Sequence, residues 1–235
     1  MNSYNSDLTY ERGLSMNMPG LMRDVYAWMA IALLVTGATA WIVADSPLLL
    51  GIIFASKFGT WGLLIATIAL VWHLSASVTR LSLKTVTAMF LVYSVLNGLT
   101  MSAIFVLYTM SSIACVFLTT AGTFGIMSCY GYMTKTDLSR MGNLCLMALF
   151  GVIIATVVNF FFENTMLQLL LSYVGILIFV GLTAYDTARI REIAFTHDTV
   201  ATDDGQKIAI MGALTLYLDF INLFLYMIRI FGDRK

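Results

Sequence analysis

Charge is scarce in this sequence. Asp, Glu, Lys and Arg make up 11% of 235 residues, 13 basic against 13 acidic, and the formal net charge is zero. A soluble domain carries about 25% charged residues, so this chain has too little charge to cover a water-soluble surface. The even balance leaves no basic footprint for nucleic acid, and none is expected as a partner. Proline occurs only twice, and no Pro/Gly-rich linker or low-complexity tract divides the chain. The three cysteines, Cys115, Cys129 and Cys145, fall in or beside apolar runs without metal-ligand spacing. An odd set of this kind reads as small apolar filler rather than a disulfide framework. What is abundant is hydrophobicity, at 60% of residues, which excludes disorder and leaves a multi-pass membrane protein.

A membrane-spanning helix takes about 20 mostly apolar residues. Seven such runs are present: 22–44, 58–77, 86–108, 113–133, 144–162, 166–186 and 208–231. The expectation is an all-α polytopic fold, with a polar tail over 1–21 and one seven-helix transmembrane domain over 22–235. The first twenty residues lack the basic, apolar and small-residue regions of a secretory signal, so the tail is expected to be cytosolic. Counting Lys and Arg in alternate loops agrees. Nine fall on one side: Arg12, Arg23, Arg80, Lys84, Lys135, Arg140, Arg189, Arg191 and Lys207. The other side receives Lys57, Arg229, Arg234 and Lys235. The basic C-terminus opposes the rule, and the last segment either crosses or enters and turns back; its length favours crossing.

An ionisable group at mid-bilayer costs at least ~2.5–3.5 kcal/mol on insertion scales, so a carboxylate there is a functional candidate by default. Asp219 stands about 16 Å into the seventh run at 1.5 Å per residue. Asp186 lies near the cytosolic end of the sixth, whose helix is open to continue through Ala188-Arg189-Ile190. A short connection makes these segments neighbours. Two close carboxylates in a low-dielectric site tend to share one proton, and when charged they present hard oxygen ligands to a cation such as Ca²⁺. The plainer alternative is that Asp186 pairs with Arg189 or Arg191 and anchors the helix end, and that Asp219 is a structural hydrogen-bonding group. Asn222, one turn from Asp219 on the same face, is a supporting candidate. His73 is a pH-sensing candidate and Arg80 a latch candidate, against readings as an interfacial histidine and a positive-inside anchor. Asn97 and Asn159 are candidates for hydrogen bonds between helices. Glu163 reads as a solvated loop residue, and Gly122 and Gly125 as ordinary membrane-helix composition.

The segments GYMTKTDLSRMGN (131–143), IFVGLTAYDTARI (178–190) and GALTLYLDFINLFLYMIRIFG (212–232) resemble the Bax inhibitor-1 (TMBIM) family, most of all its bacterial inner-membrane branch. The stretch 90–109 is also similar, and the resemblance extends over nearly all of the chain after about residue 20. It implies seven helices with the last one central and wrapped by the other six, and a carboxylate pair matching Asp186 and Asp219. It also implies a pH-sensitive Ca²⁺ leak or, for some bacterial members, modulation of a membrane-bound protease. The family's second-helix arginine latch has no clean counterpart, since Trp72-His73-Leu74 stands near its place and Arg80 follows later.

The leading expectation is therefore a Ca²⁺-permeable leak gated by protonation of Asp186 and Asp219, with Ca²⁺ bound transiently and no resident cofactor. Its partners are the lipid bilayer, Ca²⁺ and protons, in a bacterial inner membrane with a cytosolic N-terminus. The alternative is a non-conducting regulator of a membrane-bound protease, with the tail as its handle. No enzymatic activity is expected: intramembrane aspartyl proteases carry Gly-x-Gly-Asp, whereas Leu216-Tyr217-Leu218-Asp219 stands here.

Overall fold

A computed structural model describes the backbone of residues 2–54, 57–196 and 202–235, and the side chains of 20–54, 59–194 and 202–235. The side chains of residues 1–19, Arg12 among them, and that of Lys57 lie outside the described residues. The described chain is helical throughout: α1 (Asn2–Ala44), α2 (Pro47–Phe54), α3 (Lys57–Ser77), α4 (Leu83–Leu107), α5 (Met110–Met133), α6 (Ser139–Phe162), α7 (Thr165–Thr196) and α8 (Asp203–Phe231). Seven of these, all but α2, contain a stretch long and apolar enough to cross a membrane. Each expected span is present. The sixth continues beyond Asp186 to Thr196, and the seventh begins at Asp203, because polar turns prolong a helix past the apolar run that marks it. The apolar stretch after the first span is a separate helix, α2. Pro47 sits at its first position, where the missing N–H costs nothing, and Ser46 Oγ accepts the N–H of Leu49 at 3.5 Å.

The chain divides into two units, residues 1–107 with 191–214, and residues 108–190 with 215–235. In the first, α1 packs on α4, and α2 and α3 join them. Met22, Val25, Met29, Ala32, Thr36, Ala40 and Val43 are all buried. Their three- and four-residue spacing draws one stripe along α1. Thr36 Oγ1 donates to the Ser94 carbonyl on α4 at 2.9 Å, so the contact has a polar tie as well as packing.

The second unit holds α5, α6, most of α7 and most of α8. Phe220 of α8 meets Phe117 and Phe124 of α5, with ring centroids 5.3 and 5.5 Å away. Tyr226 stacks on Phe179 of α7 at 5.9 Å. Asp203 and Asp204 open α8 and Arg229 lies in its last turn, both favourable to the helix dipole. Among the spans α8 is the most extensively buried. It ends in a tie to the start of α5: Asp233 N–H donates to Ser112 Oγ at 2.9 Å, and Thr109 N–H donates to the Asp233 carbonyl at 3.1 Å. α8 is thus one unbroken helix that does not turn back on itself.

Candidate functional site

Asp219 lies near the middle of α8 and is 4% exposed. Its neighbours along the helix, Leu216, Tyr217, Phe220 and Leu223, are all buried too, so α8 is packed away from water on several sides at this level. Asp186 lies in the second half of α7 and is half-buried. The two side chains are hydrogen-bonded to each other. A hydrogen bond between two carboxyl groups needs a proton between them, since an ionised carboxyl is an acceptor only. Asp219 Oδ2 is buried without a hydrogen-bond partner among the described residues. Arg189, three residues along α7, acts on Asp186 electrostatically, but the hydrogen bond of Asp186 runs to Asp219. The arrangement can hold a proton, or present oxygens to a cation in transit. Among the described residues no group of three or more His, Cys, Asp and Glu side chains is placed to hold a metal.

What brings α7 to this position is the spacing of small residues on α5 and α6. Gly131 of α5 faces the Ala184 carbonyl so closely that any Cβ would collide with it. Gly142 of α6 lies under the Tyr185 ring, which a Cβ would approach to 2.5 Å. The two glycines close the ends of 131–143 on the residues that immediately precede Asp186. Between α5 and α7 the hydroxyls of Ser128 and Thr187 are hydrogen-bonded at 3.0 Å, buried. None of these four residues is singled out by sequence reasoning. Both glycines fall within one motif, 131–143, but nothing local marks them as points of contact.

Among the described residues, none of the remaining candidates is hydrogen-bonded to the pair. Asn222 Nδ2 donates to the Leu218 carbonyl of its own helix at 2.8 Å. Asn97 likewise donates to the Tyr93 carbonyl at 3.4 Å, and Asn159 Oδ1 accepts the N–H of Asn164 in the following turn at 3.1 Å. All three asparagine bonds are local, where bonds between helices were the expectation. His73 and Arg80 are exposed and belong to the first unit, whereas both carboxyls belong to the second. A methyl group added to Gly122 or Gly125 would meet nothing within 4 Å, in keeping with their reading as unspecific.

A family model described as "Inhibitor of apoptosis-promoting Bax1" matches residues 18–235. The chain is 48% identical over 214 residues to "Inner membrane protein YbhL" of Escherichia coli (strain K12), covering 91% of this chain and 92% of the relative. An uncharacterised protein of Borreliella burgdorferi is 40% identical over 232 residues, covering 97% and 98%. The uncharacterised protein RP147 of Rickettsia prowazekii is 39% identical over 229 residues, covering 97% and 93%. With seven apolar helices and a match over nearly its whole length, the chain is a membrane protein that belongs to the Bax inhibitor-1 family.

Proposed function

We propose that this protein is a pH-responsive, Ca²⁺-permeable leak of the bacterial inner membrane, with Asp186 and Asp219 as the shared proton and cation site. The observation that carries the reading is the buried Asp219 carboxyl, hydrogen-bonded to Asp186 and with its Oδ2 unpartnered among the described residues. Burying such a group without full compensation is costly, and a proton or a passing cation is the species that relieves it. When the pair is deprotonated it attracts a cation; when protonated it loses that attraction. Two carboxylates fall short of the 6–8 oxygens that Ca²⁺ takes, which suits transient passage rather than storage. Seven apolar helices and a relative named an inner membrane protein support the location.

The test is Ca²⁺ flux into liposomes carrying the purified protein, from pH 5 to pH 8, alongside Asp186→Asn and Asp219→Asn. The expected result is a pH-dependent flux whose profile either substitution alters. Folded variants that conduct with an unchanged profile would refute the carboxyl mechanism. Flux no greater than in empty liposomes would turn the reading to a non-conducting regulator of a membrane-bound protease. That alternative draws on α1, which continues as a helix through the polar tail well before its apolar span begins at Gly20. Co-purification of a protease lost on deleting residues 2–19, yet kept in Asp186→Asn and Asp219→Asn, is its signature.

A further inference from the structure

A second polar feature lies within the second unit, where α6 gives way to α7 and where α8 ends. There the side chains line an open groove of about 320 Å³, within the range of small-ligand sites. Asn159 and Thr156 of α6, Glu163 of the turn, Gln168 of α7 and Arg229 of α8 line it. The α6–α7 turn is tightly built. Glu163 adopts the left-handed conformation, with φ 48°, and its N–H donates to the Asn159 carbonyl at 2.8 Å. Such a conformation is uncommon for a non-glycine residue. The Arg229 guanidinium lies 5.6 Å from the centroid of the Tyr226 ring, and that ring is in turn stacked on Phe179. A cation and an anion therefore face one groove from different elements, and neither takes part in the ion pairs Arg23–Asp24 and Lys207–Asp204.

This pattern is complementary to a zwitterion. Arg229 offers a planar fork for phosphate oxygens, Glu163 offers a carboxylate for an ammonium, and the Asn159 and Gln168 amides supply further donors and acceptors. The surroundings are apolar: Phe160, Phe161 and Phe162 on the α6 side and Phe231 beyond Arg229 are 60–76% exposed. A soluble zwitterion has no use for those rings, whereas a lipid lays its acyl chains beside them. We infer that this groove binds the headgroup of a zwitterionic aminophospholipid, with phosphate on Arg229 and ammonium on Glu163. The assignment is independent of the leak and of its carboxyl pair.

The test uses full-length protein in dodecyl maltoside, titrated with dioleoyl phosphatidylethanolamine or dioleoyl phosphatidylglycerol, with bound lipid counted by native mass spectrometry. Charge-assisted contacts set the expected preference for phosphatidylethanolamine at about tenfold or more. Arg229→Gln should weaken both lipids by about that factor. Glu163→Gln should remove the preference while leaving phosphatidylglycerol unchanged. If Arg229→Gln does not yield monodisperse protein, Arg229→Lys, which keeps the charge but not the fork, should lower affinity by a smaller factor. Equal binding of the two lipids by the wild type, or variants that bind as the wild type does, would overturn the assignment. Free phosphoethanolamine that competes as strongly as the lipid itself would overturn the lipid in favour of a soluble ligand.

Discussion

Asp137 and Asp219 carry the same carboxyl in opposite settings. Asp137 is fully exposed in the α5–α6 connection. Hydrogen bonds from the Ser139 side chain and backbone, with Arg140 nearby, hold its pKa below the ordinary value of 3.8. A carboxyl whose folded pKa is lowered contributes stability above its unfolded pKa and loses it as pH falls through the lower folded value. That window lies below about pH 4, so Asp137 stays ionised from pH 5 to pH 8. Asp137→Asn is therefore expected to leave the pH profile of liposomal Ca²⁺ flux in place. A displaced profile would assign the pH response to this connection instead of the buried pair. Asp219 has no comparable solvation: it is buried, as are Leu216, Tyr217 and Leu223 beside it on α8, and its described hydrogen bond runs to another acid. A carboxyl in the middle of LTLYLDFINLFLY is conspicuous from sequence, because the insertion cost makes it rare there. Its partner was harder to recognise, since Asp186 sits where the apolar run ends and looks interfacial until α7 is seen to continue to Thr196.

At the scale of helices, hydropathy identifies all seven spans but not what distinguishes one glycine from another. Gly122 and Gly131 lie on the same helix, nine residues apart. Only the position of a neighbouring helix separates them: the Ala184 carbonyl abuts Gly131, while Gly122 opens onto space. That neighbour is more than fifty residues away in sequence, so no local pattern carries it. The same holds for Ser128 and Thr187, whose hydroxyls meet across α5 and α7. Helix ends depart from the apolar runs for a different reason. Hydropathy reports where a helix leaves lipid, whereas Asp203 and Asp204 begin α8 by complementing its dipole. The glycine contrast is testable. Gly131→Ala is expected to destabilise by about 1–3 kcal/mol through overpacking. Gly122→Ala should be neutral or stabilise by about 0.5–1 kcal/mol through helix propensity. Thermal unfolding of the two variants in detergent compares them, and similar midpoints would remove the close approach of α5 and α7 as a structural constraint.

For the whole molecule, the number of crossings is decided by the last helix. Lys and Arg counts favour a cytosolic N-terminus, yet Arg229, Arg234 and Lys235 pull the other end to the same side. Local contacts weigh against that pull. Asp233 is hydrogen-bonded to Thr109 in the α4–α5 connection and to Ser112 in the first turn of α5, and the Arg234 guanidinium lies 6.0 Å from the Tyr108 ring centroid. If each of the three spans before Tyr108 crosses, that turn and the C-terminus tied to it are expected on the side opposite the tail. In a background with Cys115, Cys129 and Cys145 replaced by serine, Ser3→Cys and Lys235→Cys should react with a membrane-impermeant maleimide from opposite faces. In intact spheroplasts Lys235→Cys is expected to label and Ser3→Cys to label only after lysis. Labelling of both from one face would mean an even number of crossings and would break the tie between Asp233 and the α4–α5 connection. The reverse pattern would keep seven crossings and invert the protein. With the expected orientation, the groove between Glu163 and Arg229 meets the outer leaflet, and Asp137 faces the cytoplasm.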